Sequence, residues 1–265
     1  MALTYLDDIV AWHRARAQRD TRDWRARRGE VAYAGPSMIE ALRGSRNGHV
    51  NVIAEVKRRS PSKGWIDEHL DAAELARTYR DGGASAISVL TDQEYFSGSA
   101  EDLESVRAAV ELPVLRKDFT VSENDIVDAV LMGAGCVLLI VAALDDDQLA
   151  RFIDVARSCG IDALVEVHDQ VESRRALDAG ATLVGVNQRD LRTFSVDPDQ
   201  AIHVIETIPS SVVTVAESGL ATPTDVQRVG DAGFDAVLVG EAFLRSSQRE
   251  ALVRSFTQAT RTPRD

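Results

Sequence analysis

The chain has 265 residues, 45% hydrophobic and 27% charged, with a formal net charge of -12. That composition supplies a large core and a charged surface, and its acidic balance argues against nucleic-acid or membrane-surface partners, which need clustered positive charge. Cys136 and Cys159 are the only cysteines and show no C-x-x-C spacing, while the five histidines are scattered, so neither a disulfide framework nor a metal site is expected. No apolar run reaches the roughly 20 residues that span a bilayer and no signal-peptide core is visible, so a cytoplasmic location is expected.

Residues 1–49 read as a helical extension, with one helix over Leu3 to Arg28 and a shorter one over Pro36 to Arg43. Mixed Arg and Asp from His13 to Arg28 predict a solvated amphipathic helix in preference to a basic tail. From Val50, short β-branched runs alternate with helical periodicity. The strands are read as Asn51 to Lys57, Ala86 to Leu90, Val114 to Lys117, Cys136 to Ile140, Asp162 to Val167, Leu183 to Asn187, Val212 to Ala216 and Ala236 to Val239. Gly82-Gly83, Gly133-Ala134-Gly135, Gly160, Gly180 and Gly233 fall just before strands, where helix C-caps favour glycine. Eight βα units without a G-x-G-x-x-G after the first strand predict a closed α/β (β/α)8 TIM barrel over 50–265, capped by the N-terminal helical extension.

Strand C-termini of such a barrel share one mouth. Glu55 and Lys57 lie two apart on the first strand, hence on one side. Lys117, Glu166, Asn187 and Glu217 close the third, fifth, sixth and seventh strands. Two lysines, three glutamates and an asparagine thus converge, a set whose desolvation needs opposite charges as neighbours. At about 4 Å and an effective dielectric of 20 such a pair attracts by roughly 4 kcal/mol. Asp118 and Asp190 read as turn caps and stay outside the expected site. Gly219 after the seventh strand and Gly240-Glu241 after the eighth sit where barrels build a phosphate cradle from backbone N–H groups. The loop Ser60 to Gly64 adds a hydroxyl.

Together, Val52 to Ser62 (VIAEVKRRSPS), Ser88 to Thr91 with Tyr95 to Gly98, and Leu115 to Phe119 (LRKDF) resemble the indole-3-glycerol phosphate synthase family. So do Leu164 to Val167, Gly185 to Asn187 with Arg189-Asp190-Leu191, Ala216 to Gly219 and Leu238 to Glu241, in order along the barrel. The resemblance implies a lyase of tryptophan biosynthesis that closes an indole ring on 1-(o-carboxyphenylamino)-1-deoxyribulose 5-phosphate, releasing carbon dioxide and water, with no metal or organic cofactor. Its only required partner is this phosphosugar-anthranilate substrate, with transient contact to other enzymes of that pathway left open.

By the same resemblance Lys117 is the general acid on the sugar carbonyl and Glu166 an acid or base of the dehydration. Lys57, oriented by Glu55, holds the carboxylate and shares in proton transfer; Asn187 and Glu217 stabilise the cationic intermediate and position the anilino nitrogen or sugar hydroxyls, with Arg189 in support. Ser60, Ser218, Gly219, Gly240 and Glu241 take the phosphate, and Phe96, Phe119 and Leu191 wall the aromatic ring. Gln188 and the bulky Trp65 depart from the family pattern, Trp65 with an expected effect on the loop or pocket. Competing readings are another phosphosugar barrel, such as phosphoribosylanthranilate isomerase with its Cys and Asp pair, or a noncatalytic phosphosugar-binding barrel. Neither cysteine suits the former, and no charged position is lost as the latter expects.

Overall fold

A computed structural model describes residues 4–29, 31–43, 48–60, 64–190 and 195–264. β1 (Asn51–Val56) leads into an antiparallel hairpin of β2 (Arg59–Ser60) and β3 (Gly64–Trp65), and is followed by β4 (Ala86–Leu90), β5 (Val114–Lys117), β6 (Cys136–Ile140), β7 (Asp162–Val167), β8 (Leu183–Asn187), β9 (Val213–Glu217) and β10 (Ala236–Val239). β1 and β4 to β10 close into one parallel barrel in which β1 pairs with both β4 and β10. Six strands match the sequence expectation residue for residue. β1 stops one residue short of Lys57, and β9 runs one residue later than Val212 to Ala216.

Helices α4 (Ala72–Asp81), α5 (Ala100–Ala109), α6 (Glu123–Leu131), α7 (Asp146–Ser158), α8 (Gln170–Asp178), α9 (Pro198–Ile205), α10 (Pro223–Asp231), α11 (Glu241–Arg245) and α12 (Arg249–Phe256) follow the strands. Their starts are written in the sequence: Ser122 and Asp125 form a capping box on α6, as do Thr222 and Asp225 on α10, whose first residue is Pro223. Gly133 and Gly180, with φ of 88° and 87°, turn the chain from helix back to strand in a conformation that costs other residues free energy.

Strand alternation divides the core into two shells. Ile53, Leu115, Leu138, Leu164, Leu183, Val215 and Leu238 fill the barrel interior, while Val52, Ala54, Val56, Ile87, Val89 and Val165 pack outward against the helices. Burying each such side chain stabilises the fold by about 1.5–3 kcal/mol before chain entropy is counted. One period further along the inward face, Ile53 gives way to Glu55, Leu115 to Lys117, Leu164 to Glu166 and Val215 to Glu217. Apolar packing below therefore fixes the polar ring above.

Before the barrel come α1 (Tyr5–Gln18), α2 (Trp24–Arg28) and α3 (Met38–Arg43). The expected single helix from Leu3 to Arg28 is broken between Gln18 and Trp24. Asp20 accepts from the Arg22 backbone at 3.0 Å and Asp23 caps α2 by accepting from Arg25 N–H, so short polar side chains outcompete helix continuation. The shorter helix starts at Met38, not Pro36, because the Ser37 hydroxyl accepts from Glu40 N–H and takes the capping place.

These helices serve opposite ends. α3 sits at the strand N-termini, where Asp162 accepts from the Ser37 hydroxyl and Ile39 N–H and Asn51 donates to Leu42 O. α1 lies over the other end and is docked, not merely solvated: Leu6, Ile9, Val10 and His13 are buried, Arg14 donates to Ala143 O, and Arg16 pairs with Asp125 at 2.6 Å.

Candidate active site

A cavity of about 450 Å³ opens at the strand C-termini, within the size range of small-molecule sites. Glu55, Lys57, Ser60, Phe96, Lys117, Phe119, Glu166, Asn187, Arg189, Glu217, Ser218, Gly219, Gly240 and Glu241 all line it; Leu191 falls outside the described residues. A wider groove of about 1070 Å³ along α12 contains none of these groups.

Lys117 is the hub. Its Nζ donates to Glu166 Oε2 at 2.9 Å and lies 3.4 Å from Glu217 Oε2, while Lys57 is paired with Glu55. Burial opposes the Lys117 charge, but Glu166, Glu217 and Glu55 outweigh it and raise the ammonium above its ordinary range. Glu166 is also buried, yet Lys117 and then His168 pull it below the usual carboxylate range. Glu217 behaves oppositely: burial, with Glu166 and Glu55 as like charges, outweighs Lys117 and pushes it up to about 7. One buried carboxyl is thus held ionised and its neighbour is poised near neutrality, the separation that acid-base chemistry requires.

Asn187 Nδ2 donates to Glu166 Oε1 at 3.2 Å, and its Oδ1 accepts from Arg189 N–H at 3.0 Å. Gly185, below Asn187 on β8, has no side chain where the Glu217 carboxylate lies: a Cβ would overlap Oε1. A Cβ on Gly240 would come within 2.5 Å of Glu55 Oε1. On β2, just past the end of β1, the buried Ser60 hydroxyl has no hydrogen-bond partner among the described residues. Ser218 and Gly219 carry φ of 66° and 71°, and Glu241 opens α11, whose first-turn N–H groups lack intrahelical acceptors. These groups supply donors without a lysine.

Several lining residues escaped the sequence reading. Tyr5, Leu6 and Ile9 bring α1 into the wall, and Arg245 enters beside Glu241, with which it pairs at 2.9 Å. Asp118, set aside as a turn cap, also borders the cavity; it accepts from Arg116 at 2.9 Å and from the Thr91 hydroxyl at 2.6 Å. Gln188 is buried and donates to Ser218 O at 2.8 Å, pinning the strained turn after β9. Trp65, expected to affect the pocket, stands 52% exposed on the hairpin and is not among the described lining residues.

The fold brings His13, Asp92 and Asp118 together, with potential metal-ligating atoms within 4.8 Å of one another. Internal bonds already engage them: Asp92 accepts from His13 at 2.8 Å and from Tyr95 and Phe96 N–H, and Asp118 faces the Arg116 guanidinium. A cation there would have to displace a buried guanidinium, so the donor set fits a latch better than a metal centre. Cys136 opens β6 at the far end and burial pushes its thiol well above the ordinary value, which removes it as a nucleophile.

Fold and mouth define a TIM-barrel enzyme with a lysine-carboxylate centre beside an anion-accepting rim. A family model described as indole-3-glycerol phosphate synthase matches residues 6–256. Curated proteins called indole-3-glycerol phosphate synthase from Nocardioides sp. and Micrococcus luteus are 49% and 46% identical, covering 96% and 99% of this chain and 98% and 100% of their own. A 3-hexulose-6-phosphate synthase structure superposes with a TM-score of 0.64 at 15% identity, over 80% of this chain and all of its own, and shares the fold alone. The chain belongs to the indole-3-glycerol phosphate synthase family. It is a carbon-carbon lyase of tryptophan biosynthesis, closing an indole ring with loss of carbon dioxide on a phosphosugar substrate. No described helix is long and apolar enough to cross a membrane.

Proposed function

We propose that the substrate is 1-(o-carboxyphenylamino)-1-deoxyribulose 5-phosphate and that Lys117, clasped between Glu166 and Glu217, is the general acid of ring closure. The observation that carries this reading is the largely buried ammonium with carboxylates on two sides, lining the cavity. The phosphate rests on Ser60, Ser218, Gly219, Gly240 and the Glu241 backbone, placing the aromatic ring between Phe96 and Phe119. Lys57 takes the carboxylate, oriented by Glu55.

As the ring carbon bearing the carboxylate attacks the ketone carbon, Lys117 protonates the ketone oxygen. Glu217, once ionised, and Asn187 stabilise the positive charge that the anilino nitrogen shares, and carbon dioxide leaves with its bonding pair returning to the ring. In the dehydration, Glu166 takes a proton from the carbon beside the nitrogen while the hydroxyl departs as water with a proton from Lys57. Arg189, through Asn187, keeps that corner in place.

Incubation of the purified protein with this substrate, in chelator and without added metal, tests the reading by the fluorescence of the newly formed indole. Turnover is expected, and Lys117→Ala should reduce it by at least about 100-fold. A folded Lys117→Ala protein with wild-type turnover would overturn the assignment.

A further inference from the structure

His168 follows β7 two residues after Glu166, and its ring sits behind the Glu166 carboxylate. Its Nδ1 lies 3.0 Å from Glu172 Oε2 on α8, and the same oxygen accepts from the His168 backbone N–H at 2.8 Å. A carboxylate there can only accept, so Nδ1 carries the proton and the tautomer is fixed. Nε2 is then the one variable position. It is buried, has no hydrogen-bond partner among the described residues, and lies 3.8 Å from Glu166 Oε1. Gln200 of α9 holds the backbone from the other side by donating to His168 O.

Among the described residues, the charged groups acting on His168 are carboxylates: Glu172 on α8, Glu166 on β7 and, farther off, Glu217 on β9. Lys117 lies on the far side of Glu166. Burial opposes the imidazolium, but the Glu172 hydrogen bond and these negative charges outweigh it and raise the imidazole above its ordinary range. Lys117 is the main cation holding Glu166 ionised, and it surrenders that charge when it protonates the ketone. Without a second cation, desolvation would then drive a proton onto Glu166 before the dehydration.

We propose that His168 is a positioning residue acting through Glu166: its imidazolium, anchored by Glu172, is the standing charge that keeps Glu166 a carboxylate after Lys117 has given up its proton. This rests on Glu166 being the base of the dehydration. The Glu172–His168–Glu166 line reads as a buttress to a base, with Glu166 lining the cavity and His168 and Glu172 outside the lining residues.

The test is a carboxyl titration of protein carrying 13C at the glutamate side-chain carboxyl carbon, with the Glu166 resonance identified by its loss in Glu166→Gln. In His168→Gln the Glu166 midpoint should rise by about one pH unit, with kcat down about tenfold and KM within about twofold. Glu172→Gln, which keeps the ring and an acceptor for Nδ1 but removes the negative charge that favours the imidazolium, should move the midpoint in the same direction by less. An unmoved midpoint in both variants overturns the proposal, and a lowered Tm with an unmoved midpoint does so equally, since that is a packing role alone. Wild-type turnover in Glu166→Gln would instead remove the underlying assignment of the base, while the midpoint still reports whether His168 carries the charge.

Discussion

Gly185 leaves open on β8 the space that the Glu217 carboxylate of β9 occupies, although Gly185 pairs in register with Val215 and not with Glu217. The close approach is therefore diagonal, between neighbouring strands on the inner face of the barrel. In Gly185→Ala the added methyl meets the end of a side chain and not backbone, so the carboxylate must move away from Lys117. Turnover is expected to fall by about 100-fold or more while Tm changes by only a few degrees. Steady-state kinetics beside a thermal melt check this; an active Gly185→Ala enzyme would show that the position of Glu217 is unimportant.

The poise of Glu217 near 7 couples activity and stability to pH in opposite senses. If the ionised form stabilises the cationic intermediate, kcat/KM should rise through about pH 7, and Glu217→Gln should lose that limb along with most activity. For stability, the folded pKa lies above the ordinary 4.5, so the folded state binds this proton more tightly. The contribution is fully present below about 4.5 and is lost as pH rises through about 7, leaving a cost on the order of 3 kcal/mol at pH 8. Glu217→Gln should therefore be the more stable protein at pH 8, with the gap closing below pH 5. Denaturant melts across that range decide it: a gap that does not depend on pH would mean Glu217 is not held protonated.

Period-two reasoning recovered the charged ring because its cause is local: once Ile53, Leu115 and Leu164 face the interior, Glu55, Lys117 and Glu166 must follow. The same step from Glu166 reaches His168, a signal present in the sequence and left unused. α1 could not be read this way. Its Tyr5, Leu6 and Ile9 join the wall through docking across more than 100 residues of chain, as the Arg16 to Asp125 pair shows, and periodicity carries no information about which surface a helix covers. The break at Asp20 to Asp23 was visible in residue types, but the interleaved charges also satisfied a continuous helix.

Because α1 reaches the pocket, its anchor should be felt there. His13 holds Asp92, Asp92 holds the Tyr95 and Phe96 N–H groups, and the His13 ring packs on Phe119 at 5.2 Å between centroids. His13→Leu leaves a buried Asp92 short of one partner, a loss of about 1–3 kcal/mol, and loosens both aromatic walls. KM should rise about tenfold with kcat changed less. Unchanged KM in a destabilised protein would confine His13 to structure.

Gly219 combines two constraints that favour glycine. Its φ of 71° is strained for other residues, and a Cβ would lie 2.6 Å from Val196 Cγ1. Gly219→Ala should therefore rotate the turn and withdraw a backbone donor from the phosphate end of the cavity. Losing one hydrogen bond to a charged group weakens binding by about 1.5–3 kcal/mol, so KM should rise about 10- to 100-fold. Lys117, Glu166 and Glu217 keep their places, so kcat should stay within about threefold. Inorganic phosphate, as a competitive inhibitor, should weaken in proportion if it uses the same cradle. Undiminished phosphate inhibition in Gly219→Ala would place the phosphate elsewhere in the mouth and move attention to Arg189 and Arg245, which supply guanidinium groups along the same rim.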